Sequence, residues 1–219
     1  MMKFSYEGTT THSIAFQKVT AHELLYKLEA IDPNCILAGG APRDWYFEKP
    51  CNDLDFYIHL HGETMSDTAL RFKRLGLKVK PMNWSDNKEG LQYKCMEHLH
   101  RIYEGVKNGI KFQVMVMNFS TFECVVGNFG TSVCKAWWKG GEVQTTTEFL
   151  LSHHLNIIFK KDDYTAKVLH VGKMVKRYPN YRVKDQGDFS REQDMFCKKH
   201  NIYNSDYQVN KKLKELNND

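Results

Sequence analysis

No apolar run in this chain approaches the roughly 20 residues that a helix needs to cross a bilayer, so a helical membrane protein is excluded. The opening segment, MMKFSYEGTTTHS, lacks the apolar core of a secretory signal, which argues against export. Among the six cysteines (Cys35, Cys51, Cys95, Cys124, Cys134 and Cys197) no CxxC pair occurs, and most sit inside apolar segments. That distribution suits reduced core thiols in a cytoplasmic protein rather than a disulfide framework. Internal repeats and low-complexity linkers are missing as well. Neither sign of charge dominates: 31 Lys and Arg against 26 Asp and Glu leave a net charge of +5, a bias that favours a polyanionic partner without requiring one. What remains is an ordinary globular composition, 42% hydrophobic and 26% charged. A chain of 219 residues is long enough for one sizeable core with a small appendage. The expected division is a main domain over 1–145 and a helical C-terminal region over 146–219.

One stretch organises the rest: CILAGGAPRDWYFEKPCNDLDFY, from Cys35 to Tyr57. Cys35, Ile36 and Leu37 suit a short buried strand that stops at Gly39-Gly40. Paired glycines let the backbone approach an anion closely, and a helix starting there adds its positive end, with Pro42 tolerated in the first turn. Arg43 can reach a phosphate or pair with a carboxylate. The chain then re-enters a strand carrying Asp53 and Asp55. Alternate strand residues point the same way, so these carboxylates share one face while Leu54 and Phe56 enter the opposite layer. Two like charges so close repel unless a cation lies between them, and such oxygen pairs suit magnesium.

Elsewhere the pattern predicts a helix over Thr20 to Ala30, with Thr20 as N-cap and Glu23 at the capping-box position. Asp53 to Leu60 reads as a strand and Thr64 to Leu75 as an amphipathic helix stopped at Gly76. Leu77 to Met82, Leu99 to Tyr103 and Ile110 to Met117 are short alternating strands of one mixed sheet, separated by turns at Asn87 to Gly90 and Lys107 to Gly109. Phe119 to Val126 reads as a short helix, Thr131 to Trp138 as a strand, and Thr147 to Asn156 and Asp163 to Tyr178 as helices. From Lys160 to Lys184 eight basic residues, including Lys173, Lys176, Arg177 and Arg182, face two acids; this is either a solvated face or a surface for nucleic acid or triphosphate. The tail, Ser190 to Asp219, reads as a polar helix or two of mixed charge with little core-forming material, and its last residues are expected to fray. The overall expectation is an α+β fold, a mixed sheet flanked by helices with a short helical C-terminal extension.

GGAPRDWYFEKPCNDLDFY resembles the signature of the DNA polymerase β-like nucleotidyltransferases, in particular the GGxxRDxxxGxxxxDxD pattern of bacterial tRNA CCA-adding enzymes and poly(A) polymerases. Gly39, Gly40, Arg43, Asp44, Asp53 and Asp55 fall in register over roughly Ile36 to Ile58, and the midway glycine is replaced by Glu48. The resemblance implies that the glycines hold a nucleoside triphosphate and that Asp53 and Asp55 bind Mg2+ (or Mn2+). It also implies attack of a hydroxyl on the α-phosphate, with RNA or tRNA as the acceptor, or a protein hydroxyl.

Departures narrow that expectation. Relatives carry a third carboxylate on a later strand, where IKFQVMVMN offers Gln113, with Glu104 and Glu123 as nearby substitutes. The RRDFTxNA segment survives only as Phe129 to Cys134, and the EDxxR motif that selects CTP and ATP is missing, which argues against CCA addition itself. The chain is similar to the compact nucleotidyltransferases of some bacteriophages, which would work in a host cytoplasm. The alternative is a catalytically weak relative that binds nucleotide or RNA or blocks a partner. His59 with His61, His98 with His100, and His153-His154 offer a second conceivable metal site. Trp137-Trp138 splits between the two layers, leaving at most one ring for a base, and Tyr178 and Tyr181 offer either packing or stacking.

Overall fold

The computed structural model describes residues 12–59, 62, 64–82, 99–118, 122–161 and 165–217. Helix α1 runs Ile14–Glu29, capped by Ser13, whose hydroxyl accepts from the Phe16 amide at 3.3 Å. It therefore starts earlier than the Thr20 cap expected from sequence. Thr20 is instead fully buried within the helix, where its hydroxyl accepts from Asn108, and Glu23 pairs with Lys107 at 3.0 Å. A tertiary partner at each residue outweighed the local capping pattern.

Seven strands form the main sheet: β1 (Ile36–Ala38), β2 (Asp53–His59), β3 (Val79–Pro81), β4 (Leu99–Lys107), β5 (Ile110–Met117), β6 (Ala136–Trp138) and β7 (Gln144–Thr145), in the order β3-β4-β5-β2-β1-β6-β7. Among the described residues of this sheet, β2–β5 is the one parallel pair. Between the first strands lie α2 (Gly40–Tyr46) and α3 (Met65–Arg74), the latter opened by the Thr64–Asp67 capping box. One sheet face buries Leu37, Leu54, Phe56, Phe112 and Val114 against Leu24, Leu28 and Phe72 of the helices. The other gathers Ile36, Tyr57, Ile102, Met115 and Met117 under Val125 and Val126 of α4 (Phe122–Gly127). The mixed sheet flanked by helices is thus the α+β architecture expected. Thr131 to Trp138 is a 3-10 turn at Ser132–Cys134 followed by β6, rather than one strand. The expected turn at Asn87 to Gly90 lies outside the described residues.

The C-terminal region adds α5 (Thr147–Leu155), β8 (Ile157–Lys160), α6 (Thr165–Arg177), β9 (Arg182–Asp185), α7 (Phe189–His200) and α8 (Asp206–Asn217). β8 and β9 pair in parallel as a separate small sheet. The tail is better packed than its polar composition suggested. Phe196, Cys197, Val209 and Leu213 are buried against Phe149, Leu150 and Leu151 of α5, a narrow apolar stripe being enough once a helix of matching pattern lies opposite.

Candidate nucleotide and metal site

The site is built at the junction of β1 and α2. Gly39 adopts φ 87° and ψ −119°, a region essentially closed to side-chain-bearing residues, so glycine is required by the turn. A Cβ there would meet only the Phe129 ring at 3.8 Å, which makes backbone conformation rather than crowding the constraint. The Gly39 amide donates to the Ala136 carbonyl at 2.9 Å, tying the turn to β6. Gly40 opens α2, and the nearest group to its open side is Arg43 Nη2, 3.9 Å from where a Cβ would stand.

Arg43 does not reach outward. It is 4% exposed, donates through Nε to Asp44 Oδ1 at 2.9 Å, and directs Nη1 at Cys134 Sγ (3.3 Å) and Met174 Sδ (3.5 Å). Burial works against its charge, but Cys134 and Asp44 more than compensate, and the guanidinium is held even more firmly protonated than usual. Asp44, also buried, accepts from a second guanidinium, Arg177 Nη2, at 2.7 Å. Arg43 is thereby a fixed positive charge behind the glycine turn. Burial alone would push the neighbouring Cys134 thiol up, yet the hydrogen bond from His170 and the charge of Arg43 bring it down to about 6.

Asp53 and Asp55 project from the same face of β2, with Leu54 and Phe56 fully buried on the other, as strand alternation requires. Asp53 is exposed. Asp55 is half-buried, and its Oδ1 is a buried oxygen without a hydrogen-bond partner. Burial first, then the charge of Asp53, push the Asp55 carboxyl up to about 8, with Arg43 opposing. A buried acceptor without a hydrogen-bond partner, beside a second carboxylate on the same strand face, fits a hard divalent cation. Among the described residues no group of three or more His, Cys, Asp or Glu side chains is arranged to hold a metal.

The strand pairing explains why. Gln113 is the Cα partner of Asp55 across the parallel β2–β5 pair, so the neighbouring position holds a neutral amide. Glu104 faces Gln113 from β4 on the same side of the sheet, but its carboxylate pairs with Lys80 at 3.1 Å. The Glu123 side chain lies outside the described residues. Among the described residues the histidines do not converge on a metal site either. His153 Nδ1 meets the Tyr181 hydroxyl at 2.9 Å inside a ring of Phe47, Phe149 and Tyr178, His154 packs edge-on against Phe196, and His61 and His98 lie outside the described residues.

Trp138 is buried in the first cluster, edge-on to Trp45, while Trp137 is half-buried on the opposite face. The Tyr178 and Tyr181 rings pack at a tilt, 4.8 Å between centroids, against the Val133–Ile158 cluster. In the basic segment, Lys160 pairs with Asp185, Lys184 with Glu192 and Arg177 with Asp44. Lys173, Lys176 and Arg182 have exposed side chains.

Two supports carried no sequence signal. Gln17, 1% exposed on α1, accepts from Trp45 Nε1 at 2.9 Å and the Cys51 amide at 3.0 Å, and donates to the Cys51 carbonyl at 2.8 Å. It clamps α2 to the entry of the aspartate strand. His170 and Met174, one helical turn apart on α6, both reach Cys134, at 3.6 and 3.5 Å. Their i, i+4 spacing was the only trace.

No family model matches this sequence. No curated protein matches it either. Solved structures do match in fold. One is the Thermotoga maritima CCA-adding enzyme complexed with tRNA, with a TM-score of 0.50 and 12% identity over 84% of this chain and 45% of that one. Another is a CCA-adding enzyme complexed with ATP, with a TM-score of 0.50 and 12% identity over 83% of this chain and 44% of that one. The chain therefore has the nucleotidyltransferase fold of these enzymes and spans less than half of their length.

Proposed function

We propose that this protein is a divalent-metal-dependent nucleotidyltransferase that moves a nucleoside monophosphate from an NTP to a hydroxyl acceptor, an RNA 3′ end before a protein hydroxyl. The observation that carries the reading is the unpartnered, buried Asp55 oxygen beside Asp53, on the strand that follows the Gly39 turn. Asp53 and Asp55 would hold Mg2+ or Mn2+, which when bound supplies charge neutralisation for the triphosphate and activation of the attacking hydroxyl. Gly39, buried with its amide given to Ala136, shapes the turn, and half-buried Gly40 at the start of α2 would bring backbone to the triphosphate. Arg43 acts from behind them, as a buried charge that holds the turn through Asp44. Asp55 gives up its proton as the site becomes charged. Lys173, Lys176 and Arg182 offer exposed charge for an RNA backbone. An enzyme of the kind carried by bacteriophages, acting in the host cytoplasm, is the biological setting this reading favours; no helix among the described residues is long and apolar enough to cross a membrane.

Gln113 beside Asp55 favours one second reading, a relative that binds nucleotide or RNA with little turnover. Both are tested by incubating the protein with each α-labelled NTP, magnesium or manganese, and total RNA. Label should enter RNA with wild type and be lost with the Asp53→Ala, Asp55→Ala double variant. Equal labelling by the two proteins would sink the enzyme reading.

A further inference from the structure

Helix α6 presents one face to the site. His170, Met174 and Arg177 recur at i, i+4 and i+7, and each contacts the groups around Arg43. His170 Nε2 lies 3.2 Å from Thr131 Oγ1 and 3.6 Å from Cys134 Sγ, Met174 Sδ receives Arg43 Nη1 at 3.5 Å, and Arg177 Nη2 donates to Asp44 Oδ1 at 2.7 Å. Lys173 and Lys176 on the same helix have exposed side chains. Asp44 Oδ1 is thus shared by two guanidiniums, one from its own helix and one from a helix more than 130 residues further along the chain.

We infer that Arg177 is a positioning residue that fixes the Gly39–Gly40 turn from outside, through Asp44. Asp44 is 6% exposed, so its charge needs partners, and Arg43 alone divides its donors between that carboxylate and two sulfurs. Without Arg177, Asp44 keeps one bond to a guanidinium that is itself held by soft, weak acceptors. Asp44 also anchors the C-terminal end of α2, its carbonyl accepting the amides of Phe47 and Lys49 at 3.1 and 2.9 Å. A carboxylate free to rotate would loosen the seven-residue α2 and the turn that opens it. Arg177 lies at the end of α6 with its side chain 38% exposed, so its removal should not prevent folding. The contact is a single N–H to a single oxygen, a geometry that lysine can partly reproduce.

The test compares full-length wild type with Arg177→Gln and Arg177→Lys. Hydrogen exchange of the amides over 39–46 should quicken roughly 10-fold in the Gln variant and return toward wild type in the Lys variant, while 112–117 stay protected. Unchanged exchange over 39–46, or an equal loss over 112–117, overturns the inference. A second measurement rests on the nucleotidyltransferase reading: the KM for NTP should rise roughly 10-fold with kcat changed far less, and lysine should rescue it. A wild type that neither binds nor turns over NTP would defeat that reading, and the exchange data would still decide the role of Arg177.

Discussion

Gln113 stands directly beside Asp55, the two being Cα partners on the parallel strands β5 and β2. The arrangement puts a neutral amide where a carboxylate would complete an anionic row on that face of the sheet. Gln113→Glu should therefore raise magnesium-dependent transfer by on the order of 10-fold or more, since each added ligand charge acts in a partly dehydrated site. The same change should lower the Tm of the metal-free protein, because three acids repel more than two, and Mn2+ should restore it. Thermal melts with and without Mn2+, beside the transfer assay, check both parts.

Asp55 predicts a pH dependence with a definite sign. Its carboxyl is raised from an ordinary 3.8 to about 8, so the folded metal-free protein favours the protonated form. The associated stability is fully present below the unfolded value and is lost as pH climbs through 8, by at most about 1.4 kcal/mol per unit. Asp55→Asn, which cannot ionise, should gain Tm relative to wild type steadily between pH 5 and pH 8. Cation binding requires the carboxylate, so Mn2+ affinity should rise up to tenfold per pH unit and level off above pH 8. Calorimetry in two buffers of different ionisation heat should find close to one proton released per site at pH 7.

Glu48 sits at φ 54°, a left-handed conformation that favours glycine, just after α2. The related nucleotidyltransferase pattern has glycine at this position, and the strain explains why. Glu48→Gly should stabilise the protein by about 0.5–1 kcal/mol, read as a higher urea midpoint with an unchanged m value.

The geometry of the candidate site was legible where chemistry and spacing coincide within one short segment. Gly39-Gly40, Asp53 and Asp55 lie within a single strand–helix–strand unit, so the alternation of β2 and the glycine turn could be read locally. The sheet was legible where strands alternate, as in Ile110–Met117, whose bounds agree with the expectation. Arg43 bonds Asp44, the carboxylate pairing that its place in the sequence allowed beside a phosphate contact. Arg177 bonds the same carboxylate, and a buried acid 133 residues away in the chain cannot be seen from a local charge pattern. β8 was missed for a related reason: Ile157, Ile158 and Phe159 are all fully buried, and three consecutive apolar residues carry no period. Gln17 is one polar residue on an otherwise ordinary helix, and only the fold shows that it joins Trp45 to Cys51.

On the function proposed here, Asp53 and Asp55 serve nucleotidyl transfer rather than binding alone. The most direct measurement follows pyrophosphate release from a magnesium NTP in the presence of RNA, with calorimetric binding of the same nucleotide recorded in parallel. Release by wild type, with one nucleotide incorporated per pyrophosphate and a drop of about 100-fold or more in Asp53→Asn, is the predicted result. Tight binding that depends on Asp53 and Asp55 but yields no pyrophosphate with any NTP would contradict it.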